Sequence, residues 1–151
     1  MANKHEVHDR AGTRVGKWSL KDLAGRAFLP IAGGDEADEP VSRRIVEGRF
    51  IELLASPELG NSRFMAVGMS AVPAGLSTPA HSHISEEFAV VISGSGVISI
   101  DGCDFAVETG DVVLVPSGVP HVTCASPTDA LVVLWVYAPP GSEKRWLEPA
   151  S

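Results

Sequence analysis

The chain carries five histidines, and three of them stand in a pattern that could do chemistry: His81-Ser-His83, with Glu87 four residues further on, and His121 in a later segment. Three imidazole nitrogens and one carboxylate, gathered on a concave surface, form a binding site for a first-row divalent metal with positions left for a substrate. The chemistry to expect is that of a metal-dependent enzyme.

The spacing sets conditions on the backbone. In an extended strand His81 and His83 project from the same face, about 7 Å apart, so both rings reach one ion while Ser82 points away. Glu87 shares the parity of His83, but a straight strand would carry it about 13 Å beyond, so the chain must turn at Ile84-Ser85-Glu86. After the turn Glu87 points back toward the histidines, and Phe88, Val90 and Ile92 take the opposite face. In the second segment Gly110-Asp111 opens a strand, Val112 to Val115 is apolar, and Pro116-Ser-Gly118-Val-Pro120 makes a rigid turn that presents His121 as the fourth ligand. With no thiolate in the set, selectivity among Fe, Mn, Ni, Zn, Co and Cu rests on geometry and supply. One divalent transition metal per chain is expected, its identity undetermined.

Candidates for an acid, a base or a pocket wall are weaker. Tyr137, the only tyrosine, shares a strand face with Trp135 and lines either the cavity or an aromatic core. Thr123 has the parity of His121 and offers a pocket hydroxyl, whereas Cys124 points oppositely. Glu86 neighbours a ligand, but its parity directs it away, as a solvated turn carboxylate would be.

The elements that must position these groups are short. From Arg44 onward, runs of β-branched and aromatic residues are punctuated by Gly, Pro, Asp and Ser at intervals near ten residues. They predict strands at Arg44 to Leu54, Arg63 to Val72, Ser77 to His83, Glu87 to Ile92, Val97 to Ile100, Cys103 to Val107, Val112 to Val115, Val119 to Ala125 and Leu131 to Tyr137. Asp101-Gly102 is a preferred pair for a two-residue hairpin turn. Many short antiparallel strands without long helices imply an all-β sandwich or barrel.

Before this region, residues 1–40 read as an N-terminal arm partly packed on the body, because Trp18, Leu20, Leu23, Phe28 and Leu29 are too apolar for a free tail. Ser19 could cap a short turn from Leu20 to Gly25. The acidic run 33–40 reads as a solvated loop, and His5 and His8 as part of a solvated terminus. Residues 139–151 form a C-terminal tail in which one capped turn would lay Trp146 on the surface of the body or of a neighbouring subunit.

At 151 residues the chain suits one domain. With 44% hydrophobic and 21% charged residues, composition favours neither disorder nor a membrane span. The opening residues lack the apolar core of a signal peptide, so a cytoplasmic protein is expected. A net charge of −7 without a visible basic cluster argues against nucleic acid as a partner. Cys103 and Cys124 match no metal or redox spacing and read as free thiols, a disulfide between them being the alternative.

Gly75, His81, His83, Glu87 and Gly94 stand at the spacings of the first signature motif of the cupin superfamily, which the chain therefore resembles. Gly110, Pro116, Gly118 and His121 match the second motif, which ends in asparagine where this chain has Ala125. The resemblance implies a jelly-roll barrel, the double-stranded β-helix, over residues 41–138. It also implies a homodimer and a small-molecule substrate bound at the metal. An O2-dependent dioxygenase similar to quercetin dioxygenase-like cupins is the first expectation. A redox-neutral lyase, isomerase, decarboxylase or polyketide cyclase is the second, and a non-catalytic ligand-binding cupin the third.

Overall fold

The computed structural model describes residues 6–8, 14–28 and 43–147. Leu29, His5 and the acidic run at 33–40 lie outside the described residues. Eleven strands occur among those described: β1 (Glu6–His8), β2 (Arg14–Gly16), β3 (Arg43–Val46), β4 (Arg49–Ala55), β5 (Ala66–Val72), β6 (Glu86–Ser93), β7 (Ser95–Ile100), β8 (Cys103–Glu108), β9 (Val112–Val115), β10 (His121–Ala125) and β11 (Leu131–Ala138). Two short helices, α1 (Leu20–Arg26) and α2 (Lys144–Leu147), complete them.

β3-β4-β5-β11-β6-β9 form one antiparallel sheet and β10-β7-β8 another, while β1 and β2 pair in a separate ribbon. The terminus expected as a solvated tail therefore contains a strand pair, with His8 in an extended segment. Between the two larger sheets the period-two alternation sorts side chains. Ile51, Leu53, Val72, Ala89, Val91, Val133 and Trp135 turn inward and are buried. Ile98, Val107 and Ala125 answer them from the smaller sheet.

The outer face of the larger sheet is also apolar, and α1 covers part of it. Leu23 and Ala27 bury against Leu54, Met69, Ala71 and Val132. Burial of a leucine of this kind contributes about 1.5–3 kcal/mol. Ser19 caps the helix by accepting from the Asp22 amide at 3.4 Å, as expected, and Arg26 pairs with Glu52 at 2.8 Å. Phe88, Val112 and Leu114, further along the same face, remain 48%, 52% and 60% exposed. No described helix is long and apolar enough to cross a membrane.

Three further expectations change. Arg44 to Leu54 is a hairpin and not one strand, because Glu47 and Gly48 both take positive φ (50° and 82°) and reverse the chain in two residues. Ser77 to His83 makes only isolated bridges, Ser77 to Cys124 and His81 to His121. Pro79 within it has no N–H to donate to a ladder. Trp146 lies in the interior at 3% exposure, packed with Tyr137, Trp135 and Ile51, because α2 folds over the barrel mouth. The Asp101-Gly102 hairpin forms as expected, and both cysteines are free.

Gly94 joins β6 to β7 at φ 85°, and a Cβ there would overlap the carbonyl oxygen of Ala130. Gly94→Ala is expected to cost about 1–3 kcal/mol from the backbone conformation alone, with the overlap adding to it. Urea unfolding measures the loss, and an unchanged midpoint would contradict this account.

Candidate metal centre

His81 and His121 sit directly opposite one another and exchange both backbone hydrogen bonds, at 3.2 and 2.9 Å. Such a pair projects its side chains to one side, and the two rings are 4.2 Å apart between centroids. The residues around His81 follow β10 in the same way: Thr78 N donates to Thr123 O at 2.9 Å, and the Thr78 hydroxyl accepts from Thr123 N at 3.0 Å. His83 extends the segment, its carbonyl accepting from Gly118 N at 2.8 Å.

The turn required before Glu87 is present at Ile84-Ser85, and β6 starts immediately after it. Ser85, 1% exposed, anchors the turn to the tail. Its hydroxyl donates to Pro139 O at 2.6 Å and pairs with the Ser142 hydroxyl at 2.6 Å, while its amide donates to Ser142 Oγ at 3.2 Å. Glu87 then points inward from β6, opposite Val115 on one side and Tyr137 on the other.

Each imidazole has its Nδ1 against a backbone carbonyl at 2.9 Å: Pro79 for His81, Ser85 for His83, Val119 for His121. A carbonyl only accepts, so Nδ1 carries the proton, and Nε2 is left to present a lone pair to a cation or, where it meets Glu87, to donate as an imidazolium. One ligand atom from each histidine lies within 4.8 Å of the others. Glu87 Oε2 is 3.1 Å from His83 Nε2 and 3.3 Å from His121 Nε2. His121 Nε2 is buried with no hydrogen-bond partner among the described residues. Lone pairs facing a carboxylate repel unless a cation stands between them, so this donor set fits a divalent ion.

Charge states agree with that role. Burial pushes the His81 pKa down to about 4, against the opposing hydrogen bond to Pro79, and keeps the ring neutral. Burial opposes the charge on Glu87, yet the contacts with His121 and His83 outweigh it and bring the pKa to about 2. Burial also opposes protonation of His121, but Glu87 outweighs it and the pKa rises. The carboxylate recruits positive charge, whether from a proton or an ion.

Around these groups lies a cavity of about 30 Å³ whose lining includes Arg49, Thr78, Thr123, Tyr137 and Trp146. That is space for roughly two water molecules. Tyr137 stacks on Trp135 at 4.3 Å and lies 4.6 Å from the His83 ring. Burial pushes its phenol pKa up, so it stays protonated. Of the weaker candidates, Thr123 and Tyr137 thus reach the cavity, whereas Glu86 is exposed at the start of β6 and does not.

Arg49 and Trp146 are lining residues that sequence reasoning missed. Arg49 has the parity of Ile51 and Leu53, a signal visible only once the Glu47-Gly48 turn fixes where β4 begins. Sequence reasoning lays Trp146 on a surface and misses its place at the cavity, because its burial depends on how the tail folds.

Residues 68–137 match the family model for the cupin domain. The chain belongs to the cupin family. Its barrel is accordingly the cupin jelly roll, and Ala125, at the position where the second motif has asparagine, is packed into the core. Two curated relatives are themselves uncharacterised. One, from Streptomyces coelicolor, is 33% identical over 96 residues, 64% of this chain and 85% of the relative. The other, from Methanocaldococcus jannaschii, is 30% identical over 76 residues, and the chain spans 61% of its length. Among solved structures, a predicted oxalate decarboxylase from Thermotoga maritima superposes with a TM-score of 0.55 at 25% identity, covering 61% of this chain and 81% of that one.

Ser85→Ala removes hydrogen bonds that join the ligand-bearing turn to the tail. A loss of about 1–3 kcal/mol is expected from the unmet partners, together with weaker metal retention under a competing chelator. Wild-type stability and wild-type retention together would show that the turn needs no such anchor.

Proposed function

We propose that this cupin is a metal-dependent enzyme that holds one divalent transition-metal ion through His81, His83, Glu87 and His121 and acts on a small organic molecule beside it. The observation that carries the reading is the tautomer pattern. Three Nδ1 atoms donate to backbone carbonyls, which leaves the three Nε2 atoms free for a ligand, those of His83 and His121 facing Glu87.

When bound, the ion supplies Lewis acidity and, where it is redox-active, O2 activation. The chain's own groups bind and orient the substrate. The Tyr137 phenol, kept protonated by burial, holds a proton at Oη for a substrate oxygen. Thr123 adds a cavity hydroxyl, and the Trp146 ring adds an apolar wall.

We place an O2-dependent dioxygenase reaction first, since four protein ligands on an ion that favours six leave two positions, enough for a substrate and O2. The second reading is a redox-neutral lyase, isomerase, decarboxylase or polyketide cyclase. It is favoured by the buried phenol and guanidinium, which suit proton donation and oxyanion stabilisation without an oxidant. A homodimer that covers Phe88, Val112 and Leu114 completes the proposal; burying that exposed apolar surface would favour association.

Purified protein should contain close to one transition-metal ion per chain by elemental analysis. His81→Ala and His121→Ala should each empty the site while leaving the far-ultraviolet signature of the β fold, and full metal content in both variants would remove the assignment. A substrate screen with and without oxygen separates the two chemistries. Turnover that stops in strictly anaerobic buffer is expected for the dioxygenase, and turnover that persists there eliminates it.

A further inference from the structure

Arg49 is the one charged cavity group with no part in holding a metal. It lies on the inward face of β4 and is 3% exposed. Its guanidinium stacks on Trp146, 4.4 Å from the ring centroid, which holds the head group at the cavity wall. Nη1 is buried and lacks a hydrogen-bond partner among the described residues. Its ion-pair partner, Glu47 Oε2, is 3.7 Å away, too far for a hydrogen bond, and the Glu47 side chain is 39% exposed. A buried guanidinium with an unmet donor costs free energy that a ligand would recover.

Charge balance points the same way. The three histidines are neutral ligands and Glu87 offsets one charge of a divalent ion. The second charge of the ion then has no partner, and that of Arg49 is offset only by Glu47 at 3.7 Å. A neutral ligand would leave them so; an anion would not.

We infer that Arg49 is the specificity-determining residue of the site and that the substrate is a small carboxylate, its carboxylate group pairing with the Arg49 guanidinium while the rest of the molecule faces the histidines. The inference rests on the metal-dependent reading above. It goes further in naming the class of substrate and the residue that selects it. A planar guanidinium matches a carboxylate in two parallel hydrogen bonds, which an ammonium cannot reproduce. Thr78 and Thr123 also line the cavity and offer hydroxyls to accept from or donate to a neighbouring hydroxyl.

The test uses nickel-loaded protein and calorimetric titration with four carboxylate probes, formate, glycolate, oxalate and malonate, against the neutral glycolamide. Metal content is measured on every sample. At least one carboxylate should bind the wild type more tightly than glycolamide does. Arg49→Gln should weaken carboxylate binding by about tenfold to a hundredfold, as expected for loss of a charged hydrogen-bonded pair, with glycolamide binding and metal content unchanged. Arg49→Lys keeps the charge and serves if the glutamine variant does not fold; it should weaken carboxylate binding by a smaller factor.

Failure of the wild type to load metal would defeat the functional reading itself. Full loading with no carboxylate bound, or carboxylate binding within twofold of wild type in both Arg49 variants, would overturn the role of Arg49 alone. Loss of metal from Arg49→Gln in step with loss of carboxylate would show that Arg49 supports Glu87 and not a substrate, and would overturn it as well.

Discussion

Everything in this barrel is arranged around a repulsion. Three imidazoles and a carboxylate are brought together in a small, partly buried cavity, where unlike charge is the inexpensive remedy. The backbone enforces the arrangement: each Nδ1 is engaged by a carbonyl within two residues of its own histidine, so the rings cannot turn away to find another partner. Local hydrogen bonding thus sets the tautomer, and the tautomer sets what the site accepts.

The rest of the fold holds four short pieces of chain in register. β10 brings His121 opposite His81 through reciprocal backbone bonds, and the turn at Ile84-Ser85 places Glu87 on the neighbouring sheet. Ser85 ties that turn to Pro139 and Ser142, so the tail that follows β11 braces the ligands as well as closing the mouth. Trp146 then contacts the site itself, with its ring 5.7 Å from His81 and its indole N–H donating to the Tyr137 hydroxyl at 3.4 Å. Closure of the cavity and stability of the tail are therefore one set of contacts, and opening the mouth means giving up buried aromatic surface.

Much of this was legible in advance where the physics is local. The parity of His81 and His83, the need for a turn before Glu87 and the Asp101-Gly102 hairpin follow from strand geometry and from which residues tolerate positive φ. The cap of α1 by Ser19 is equally local, a hydroxyl placed to accept an unmet amide of the first turn. Where reading failed, the determinant was a partner distant in sequence or a turn of unusual composition. Glu47-Gly48 reverses the chain with a glutamate at positive φ, which residue preference does not announce. Ser77 to His83 looks extended and is extended, but Pro79 and the run of β10 reduce its pairing to two bridges.

The residue types and spacings alone determined the ligand candidates, the all-β architecture and the family, because each depends on contacts or periodicities within a few residues. Only the tertiary structure decided what shares the cavity with them. Arg49 comes from β4 and Trp146 from the far end of the chain, more than thirty residues before His81 and more than twenty after His121. Their meeting at the barrel mouth depends on how the sheets close and where the tail lies down. A side chain's parity says which way it points along its own strand, but not which distant groups it will face.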